Sequence, residues 1–456
     1  MIRLELSCPG RRPRHPALSD SPAWRRETRV WLRDPEGGLW ERQGRLARRI
    51  EPLPPPDWPA LPGALPWEAP GPPPAEALEI ARFSGRRAAL APGLDWIEGR
   101  IVTPEGRSQR ATRLLAEGEA AGLLALCADL ARSLPLLPAR VGLAEEALAL
   151  AEGRAPRPRR SGPPTLAGAE TVEGALRAAL GHLLEVLLAE SALCRLEAGP
   201  RGVHQSRVAL RRMRSLLRIF RPAVDGPDWR AFDAALKGLA ATLGPARDWD
   251  VFLEGIAAGA LEALGGDARL RRLVGAAGRE RAAAYAAVAA MLEGPEFRHA
   301  LWLGLALLLL RPADAPAQPL LPFAAEVLRR RWKRLKKAGK QVEALGPEAL
   351  HEMRLDAKRL RYAAEPFAAL WPGKAARRFN RRLAALQDAL GLANDAAVAR
   401  GLAARLAGRG AGEFAIGAVT GFAAGRAEGS RLAAIAAWEE LRRSPRFWKA
   451  AEAEAS

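Results

Sequence analysis

The chain has 456 residues, 49% of them hydrophobic, which is enough for two or three domains with ordinary cores and excludes a disordered polymer. Seventy Lys and Arg against 51 Asp and Glu leave a formal charge of +19, so the natural partner is a polyanion: nucleic acid, an anionic membrane or polymeric phosphate. Three scattered cysteines, Cys8, Cys127 and Cys194, exclude a disulfide framework and a zinc site and favour a reducing cytoplasm.

In chain order, the opening MIRLELSCPG lacks the apolar run of a signal peptide. Ile2-Arg-Leu4-Glu-Leu6 and Thr28-Arg-Val30-Trp-Leu32 alternate as strands do, and Asp34-Pro-Glu-Gly37-Gly38 reads as the turn after the second. Residues 1–152 are therefore expected to form a mostly antiparallel β domain, with an irregular proline-rich loop from Pro52 to Pro74 and one helix over 118–134. The Pro, Arg and Gly of 153–167 read as a linker. From 168 to 456 the period is helical, with segments at 168–197, 202–221, 228–243, 247–264, 268–292, 295–310, 318–339, 347–371, 374–390, 393–408 and 429–443. The most apolar run, Ala300 to Leu310, is ended by Arg311-Pro312 and falls short of the roughly 20 residues a membrane span needs.

One pattern stands out in this all-α region. His204-Gln-Ser-Arg207-Val-Ala-Leu-Arg211-Arg212-Met-Arg214 returns 147 residues later as His351-Glu-Met-Arg354-Leu-Asp-Ala-Lys358-Arg359-Leu-Arg361, although the chain has only five histidines. The same shift carries Leu243-Gly244-Pro-Ala246-Arg247-Asp248 onto Leu390-Gly391-Leu-Ala393-Asn394-Asp395, and Arg230 onto Arg377. Two stretches with one offset indicate a duplicated helical unit, with halves of about 168–312 and 313–450.

At about 100° per residue, His204, Arg207, Arg211, Arg214 and Arg218 share one arc, with Arg212 on the flank and Ala209, Leu210, Met213, Leu216, Leu217 and Phe220 opposite. His351, Arg354, Lys358 and Arg361 repeat the arc, opposite Leu360, Ala364, Phe367 and Trp371. Like charges stacked at (i, i+3) and (i, i+4) destabilise a helix unless an anion compensates them. Guanidinium suits phosphate because it is planar, permanently charged and offers paired donors. Arg378 and Arg382, spaced (i, i+4), can line the same groove, and Lys237 and Arg247 are further candidates. The run Arg329-Arg-Arg-Trp-Lys333-Arg-Leu-Lys336-Lys337 spreads around its helix and reads in large part as solvated surface. Asp248 and Asp395 are expected near helix starts, capping or orienting an arginine. No Ser or Cys nucleophile and no His-x-x-x-His spacing accompanies the histidines, so neither catalysis, metal nor cofactor is expected there.

The two His-led motifs, with LGPARDWD and LQDALGLAND, resemble the conserved histidine α-helical domain, CHAD, over about 168–450. The resemblance implies two four-helix bundles related by a pseudo-twofold, whose histidine helices face each other across a basic groove or pore that binds inorganic polyphosphate. The ligand-facing set it implies is His204, Arg207, Arg211, Arg212 and Arg214 with His351, Arg354, Lys358, Arg359 and Arg361. The segment Val30 to Arg48 is similar to the strand, turn and strand of CYTH domains, β-barrel triphosphate tunnel enzymes. Where that family begins Glu-x-Glu-x-Lys, this chain has Arg3-Leu-Glu5-Leu-Ser7, and its later glutamate-rich strand appears as Ser108 to Arg113. A tunnel that holds divalent metal against triphosphate needs paired carboxylates, so this copy is expected to be degenerate and without hydrolysis.

The expectation is thus an α+β multidomain protein that binds polyphosphate without chemistry of its own, in the cytoplasm and with polyphosphate granules as a destination. The alternatives are a metal-dependent triphosphatase or polyphosphatase acting through the amino-terminal domain, and a nucleic-acid-binding protein. Base stacking needs exposed aromatics, and only Tyr362 lies near the basic arc.

Overall fold

The computed structural model describes residues 2–8, 12–20, 22–50, 61–62, 72, 74–155, 162–310 and 318–449. Most of the proline-rich stretch 52–74, residues 156–161 of the linker, and Arg311-Pro312 lie outside the described residues.

The amino-terminal region is a nine-stranded sheet: β1 (Ile2–Ser7), β2 (Trp24–Arg33), β3 (Leu39–Gln43), β4 (Leu46–Ile50), β5 (Leu61–Pro62), β6 (Leu78–Ala91), β7 (Leu94–Val102), β8 (Ser108–Gly118) and β9 (Leu137–Pro138). Its order is β4-β3-β2-β6-β7-β8-β1-β5, every pairing is antiparallel, and β9 adds to β1, so the curled sheet stays open as a half-barrel consistent with a CYTH-like fold. Strands β6 and β7 form a hairpin around Gly93, whose φ of 73° is the left-handed conformation that glycine tolerates. Helix α1 (Ala120–Ser133), capped by the Glu119 carboxylate, lies on one face over Leu4, Leu6, Leu90, Trp96 and Leu114. The shorter α2 (Leu143–Ala151) covers Trp31, Phe83, Ile97 and Leu115.

The helical region contains α3 (Val172–Ser191), α4 (Arg201–Val224), α5 (Pro227–Val251), a π-helical turn (Phe252–Ala257), α6 (Ala258–Ala263), α7 (Ala268–Glu293), α8 (Pro295–Leu309), α9 (Leu320–Ala338), α10 (Pro347–Phe367), α11 (Lys374–Arg405) and α12 (Glu413–Arg442). A shift of 147 carries α3, α4, α5 and α7 onto α9, α10, α11 and α12 to within a few residues at the amino-terminal ends, so the duplication spans four helices per half. Thr171 and Pro319, the residues that precede α3 and α9, form an antiparallel bridge in which Val172 N–H donates to Gln318 O and Leu320 N–H to Glu170 O. Such a reciprocal bond between equivalent chain positions is what a local twofold produces.

The two repeats share one continuous core. Phe220 of α4 stacks on Phe323 of α9 at 5.4 Å and meets Phe367 of α10 edge-on at 6.1 Å. A second cluster at the far end joins Trp249, Phe252 and Leu273 to Leu402, Leu406 and Val419.

Sequence boundaries fail at Pro245. The predicted break between 243 and 247 lies inside α5, that between 390 and 393 lies inside α11, and α12 begins at Glu413 rather than 429. Leu243, Ala246 and Trp249 are all buried, and packing that apolar stripe outweighs the bond lost at proline. The expected turns at Gly244–Asp248 and Gly391–Asp395 are therefore helix interior.

Helix α8 has no helical counterpart among the described residues, where the shifted position holds only a short 3-10 turn, Phe447–Lys449. It lies flush on α3, because a Cβ at Gly304 would stand 2.9 Å from Leu184 Cδ2. Its other side fastens the β domain: the buried Arg298 Nε donates to Ala131 O at 2.6 Å, and Trp302 Nε1 donates to Leu136 O at 3.2 Å. Arg298 thereby satisfies a carbonyl at the end of α1, so Arg298→Ala should lower the stability of the docked domains by about 2–3 kcal/mol, read from urea unfolding followed by tryptophan fluorescence.

Candidate anion-binding site

Helix α4 buries Ala209, Leu210, Met213, Leu216, Leu217 and Phe220, and α10 buries Met353, Ala357, Leu360, Ala363, Ala364 and Phe367. With these stripes turned into the core, the basic stripes have to lie together on the remaining side, and α4 packs on α10. Burial, with Arg211, Arg354, Arg207 and Arg218 around it, pushes the Lys358 ammonium down to about 8. One cation thus registers three arginines from the other repeat and one from its own.

The arginines at the head of each copy stand near equivalent carboxylates. Burial lowers Arg207, and the nearby Asp248 opposes this; burial likewise lowers Arg354, opposed by Asp395. Burial raises the Asp248 carboxyl, Arg207 and Arg247 pull it down, and the like charge of Asp395, its equivalent in the other repeat, raises it again. The two aspartates orient arginines from helix interiors and cap nothing. Gly244 leaves room for this, since a Cβ there would stand 3.1 Å from Arg207 Nη1, which itself donates to Ala240 O at 3.4 Å.

The two histidines differ. His204 is half-buried, and burial together with Arg247, Arg211 and Arg207 lowers its pKa against the opposing Asp250. Asp250 is fully buried and accepts from Arg281 Nε at 2.6 Å and from the Tyr285 hydroxyl at 3.0 Å. His351 is exposed.

The remaining candidates divide by partner. Arg212 and Arg361 both pair with Glu365, at 3.2 and 2.6 Å, Arg214 pairs with Asp233 at 2.8 Å, and Arg359 pairs with Asp356 at 2.7 Å. Arg211 lies over the ring of the buried Tyr362, 5.4 Å from its centroid. Among the described residues, Arg211, Arg218, Arg247 and Lys358 form no ion pair. Arg247 joins the site through His204 and Asp248. Arg382 instead turns to Ser444 Oγ, 2.9 Å away, and to Glu440, whereas Lys237 and Arg378 are exposed on α5 and α11.

Basic residues outside the expected set also converge. Arg330, Arg331 and Arg334 of α9 line a cleft of about 560 Å³ with Arg218 and Arg221 of α4. The repeat offset carries the signal that finds them, because their equivalents on α3 are Leu183, Leu184 and Leu187.

A duplicated helical unit brings a basic stripe from each repeat together where α4 packs on α10. Residues 178–404 match the family model of the CHAD domain. The crystal structure of the CHAD domain from the plant Ricinus communis superposes with a TM-score of 0.53 at 28% identity, covering 64% of this chain and 98% of that one. A second solved structure, PptA from Streptomyces chartreusis, gives a TM-score of 0.46 at 21% identity, covering 59% of this chain and 100% of that one. No curated protein matches the chain. Residues 178–404 thus carry a CHAD domain.

Holding Lys358 charged among four arginines works against folding. Its pKa falls from 10.5 to about 8, so the cost is fully present below pH 8 and disappears as pH rises toward 10.5, where the unfolded chain also loses the proton. Lys358→Met should therefore stabilise the protein at pH 7 by on the order of 1–3 kcal/mol, and urea unfolding should show that gain shrinking by pH 10.

Proposed function

We propose that this protein binds inorganic polyphosphate along the comb formed by α4 and α10, without turning it over. The observation that carries the reading is the convergence of Arg207, Arg211, Arg218 and Arg354 on Lys358, because desolvated like charges from two helices cost the fold free energy that a bound anion would offset. An extended flexible chain of phosphates matches a continuous stripe better than a rigid duplex does, and the aromatic nearest the comb, Tyr362, is buried beneath Arg211 rather than offered to a base. The resemblance to CHAD domains supports the same ligand.

The amino-terminal domain is proposed to be a non-catalytic scaffold. Its carboxylates are already occupied by arginine: Arg29, itself buried, bonds Glu27 at 2.9 Å and Glu41 at 3.3 Å, and Arg48 also pairs with Glu41. Arg113 pairs with Glu146 and lies 3.9 Å from Glu5, whose Oε2 also accepts from Leu143 N–H at 2.9 Å. Guanidinium groups among these carboxylates take the place that divalent metal would need. No helix of the described residues is long and apolar enough to cross a membrane. The proposed setting is cytoplasmic, with polyphosphate granules as its site of action.

Competition of long polyphosphate, single-stranded RNA, duplex DNA and ATP for one labelled polyanion at fixed salt tests the reading, with long polyphosphate expected to win. Preferred displacement by RNA or DNA overturns it. Arg207→Ala combined with Arg354→Ala should flatten the salt dependence of polyphosphate affinity by about one unit of slope or more, borrowing roughly 0.7 per contact from single-stranded nucleic acid. Replacing the exposed Arg25 and Arg26 of β2 should change little. Because His204 titrates low when the site is free and an anion raises it, affinity should strengthen as pH falls below about 6.5, and His204→Ala should remove that rise. Phosphate release from tripolyphosphate with Mg²⁺ or Mn²⁺ should stay at background.

A further inference from the structure

The duplication breaks where α8 intervenes. On α3, Leu183, Leu184 and Leu187 are fully buried, and α8 packs against Leu184. On α9 the equivalent positions are Arg330, Arg331 and Arg334, and no helix takes the place of α8 among the described residues. The partner helix differs in the same sense. Arg218 of α4 corresponds to Glu365 of α10, which closes its own half by pairing with Arg212 and Arg361. One half therefore carries a covered apolar seam and the other an open arginine cleft.

The cleft has two connected lobes, of about 560 and 230 Å³, both lined by Arg218, Arg331 and Arg334. Asp225 at one edge is taken up by Arg221 and Arg230, and Asp356 at the other by Arg359. Among the described residues, Arg218, Arg330, Arg331 and Arg334 have no carboxylate within ion-pair distance. Arg331 bonds Arg359 O through Nη1, and burial with its arginine neighbours pushes it down to about 10.

We propose that the cleft between the carboxyl-terminal half of α4 and α9 is a second anion site, which takes a short run of condensed phosphates of tripolyphosphate size. Four guanidiniums without carboxylate partners match the charge of tripolyphosphate rather than that of a single phosphate, and their planar forks suit its paired oxygens. Arg218 belongs to both the comb and the cleft, so the occupant is either a free short phosphate or the end of a longer chain leaving the comb on this side. The chain-end source rests on the polyphosphate reading of the comb; the free-phosphate source does not.

Calorimetric titration of the full chain with tripolyphosphate, and separately with long polyphosphate, tests the proposal. Arg331→Leu with Arg334→Leu restores the residues of the other repeat, and Arg330→Gln with Arg334→Gln alters only exposed side chains and guards against misfolding. Both variants should weaken tripolyphosphate at least about tenfold, whereas Arg25→Gln with Arg26→Gln, exposed on β2 and remote from both sites, should leave it nearly unchanged. If the cleft variants also weaken the long chain, the occupant is a chain end; if only tripolyphosphate suffers, it is a free short phosphate. Unchanged tripolyphosphate affinity in both cleft variants overturns the second site. Unchanged long-chain affinity in Arg207→Ala with Arg354→Ala overturns the comb reading and leaves the cleft standing.

Discussion

The structure depends on like charges held together by apolar packing on the far side of the same helices. Methyl and ring groups of Met213, Phe220, Met353 and Phe367 are fully buried, and burying each such side chain contributes about 1.5–3 kcal/mol. That burial fixes the rotation of α4 and α10 about their axes, and rotation alone decides that Arg207, Arg211, Arg354 and Lys358 meet. Repulsion among them is tolerated because it is smaller than the packing that enforces it. A repeat related by a near-twofold doubles the effect: Arg211 lies near its counterpart Lys358, and the Asp248 carboxylate near Arg207 recurs as Asp395 near Arg354.

Symmetry is imperfect where the molecule does other work. Helix α8 docks the β domain through Arg298 and Trp302 and therefore needs an apolar seat, which α3 supplies with leucines. Among the described residues no domain docks at the equivalent place of the second repeat, and α9 turns Arg330 and Arg334 to solvent there. Domain attachment and the one-sided arginine cleft are thus two consequences of one unpaired helix.

The β domain bonds its buried carboxylates to its own arginines. Arg29 and Arg48 with Glu27 and Glu41 form a largely buried ion network, which is costly to break but neutral in net charge once formed. Such a lattice fixes the sheet without leaving acceptors in excess.

Much of this was legible in the chain itself. The offset between His204 and His351, and between Leu243 and Leu390, identified the duplication, because a shift shared by separate motifs needs a duplicated unit. Helical period put Arg207, Arg211 and Arg218 on one face, because side-chain direction along a helix is set by backbone geometry alone. Periodicity could not decide whether Pro245 ends a helix, since that turns on Leu243, Ala246 and Trp249 finding cover from distant helices. Nor could it separate Arg211 and Lys358 from Arg212, Arg214, Arg359 and Arg361, which the fold pairs with carboxylates; only some of those partners lie on the same helix. The sequence by itself determined which cations exist and which way each helix turns them. Tertiary structure decided which remain without a counter-charge, because ion pairing depends on distances across helices that no local rule sets.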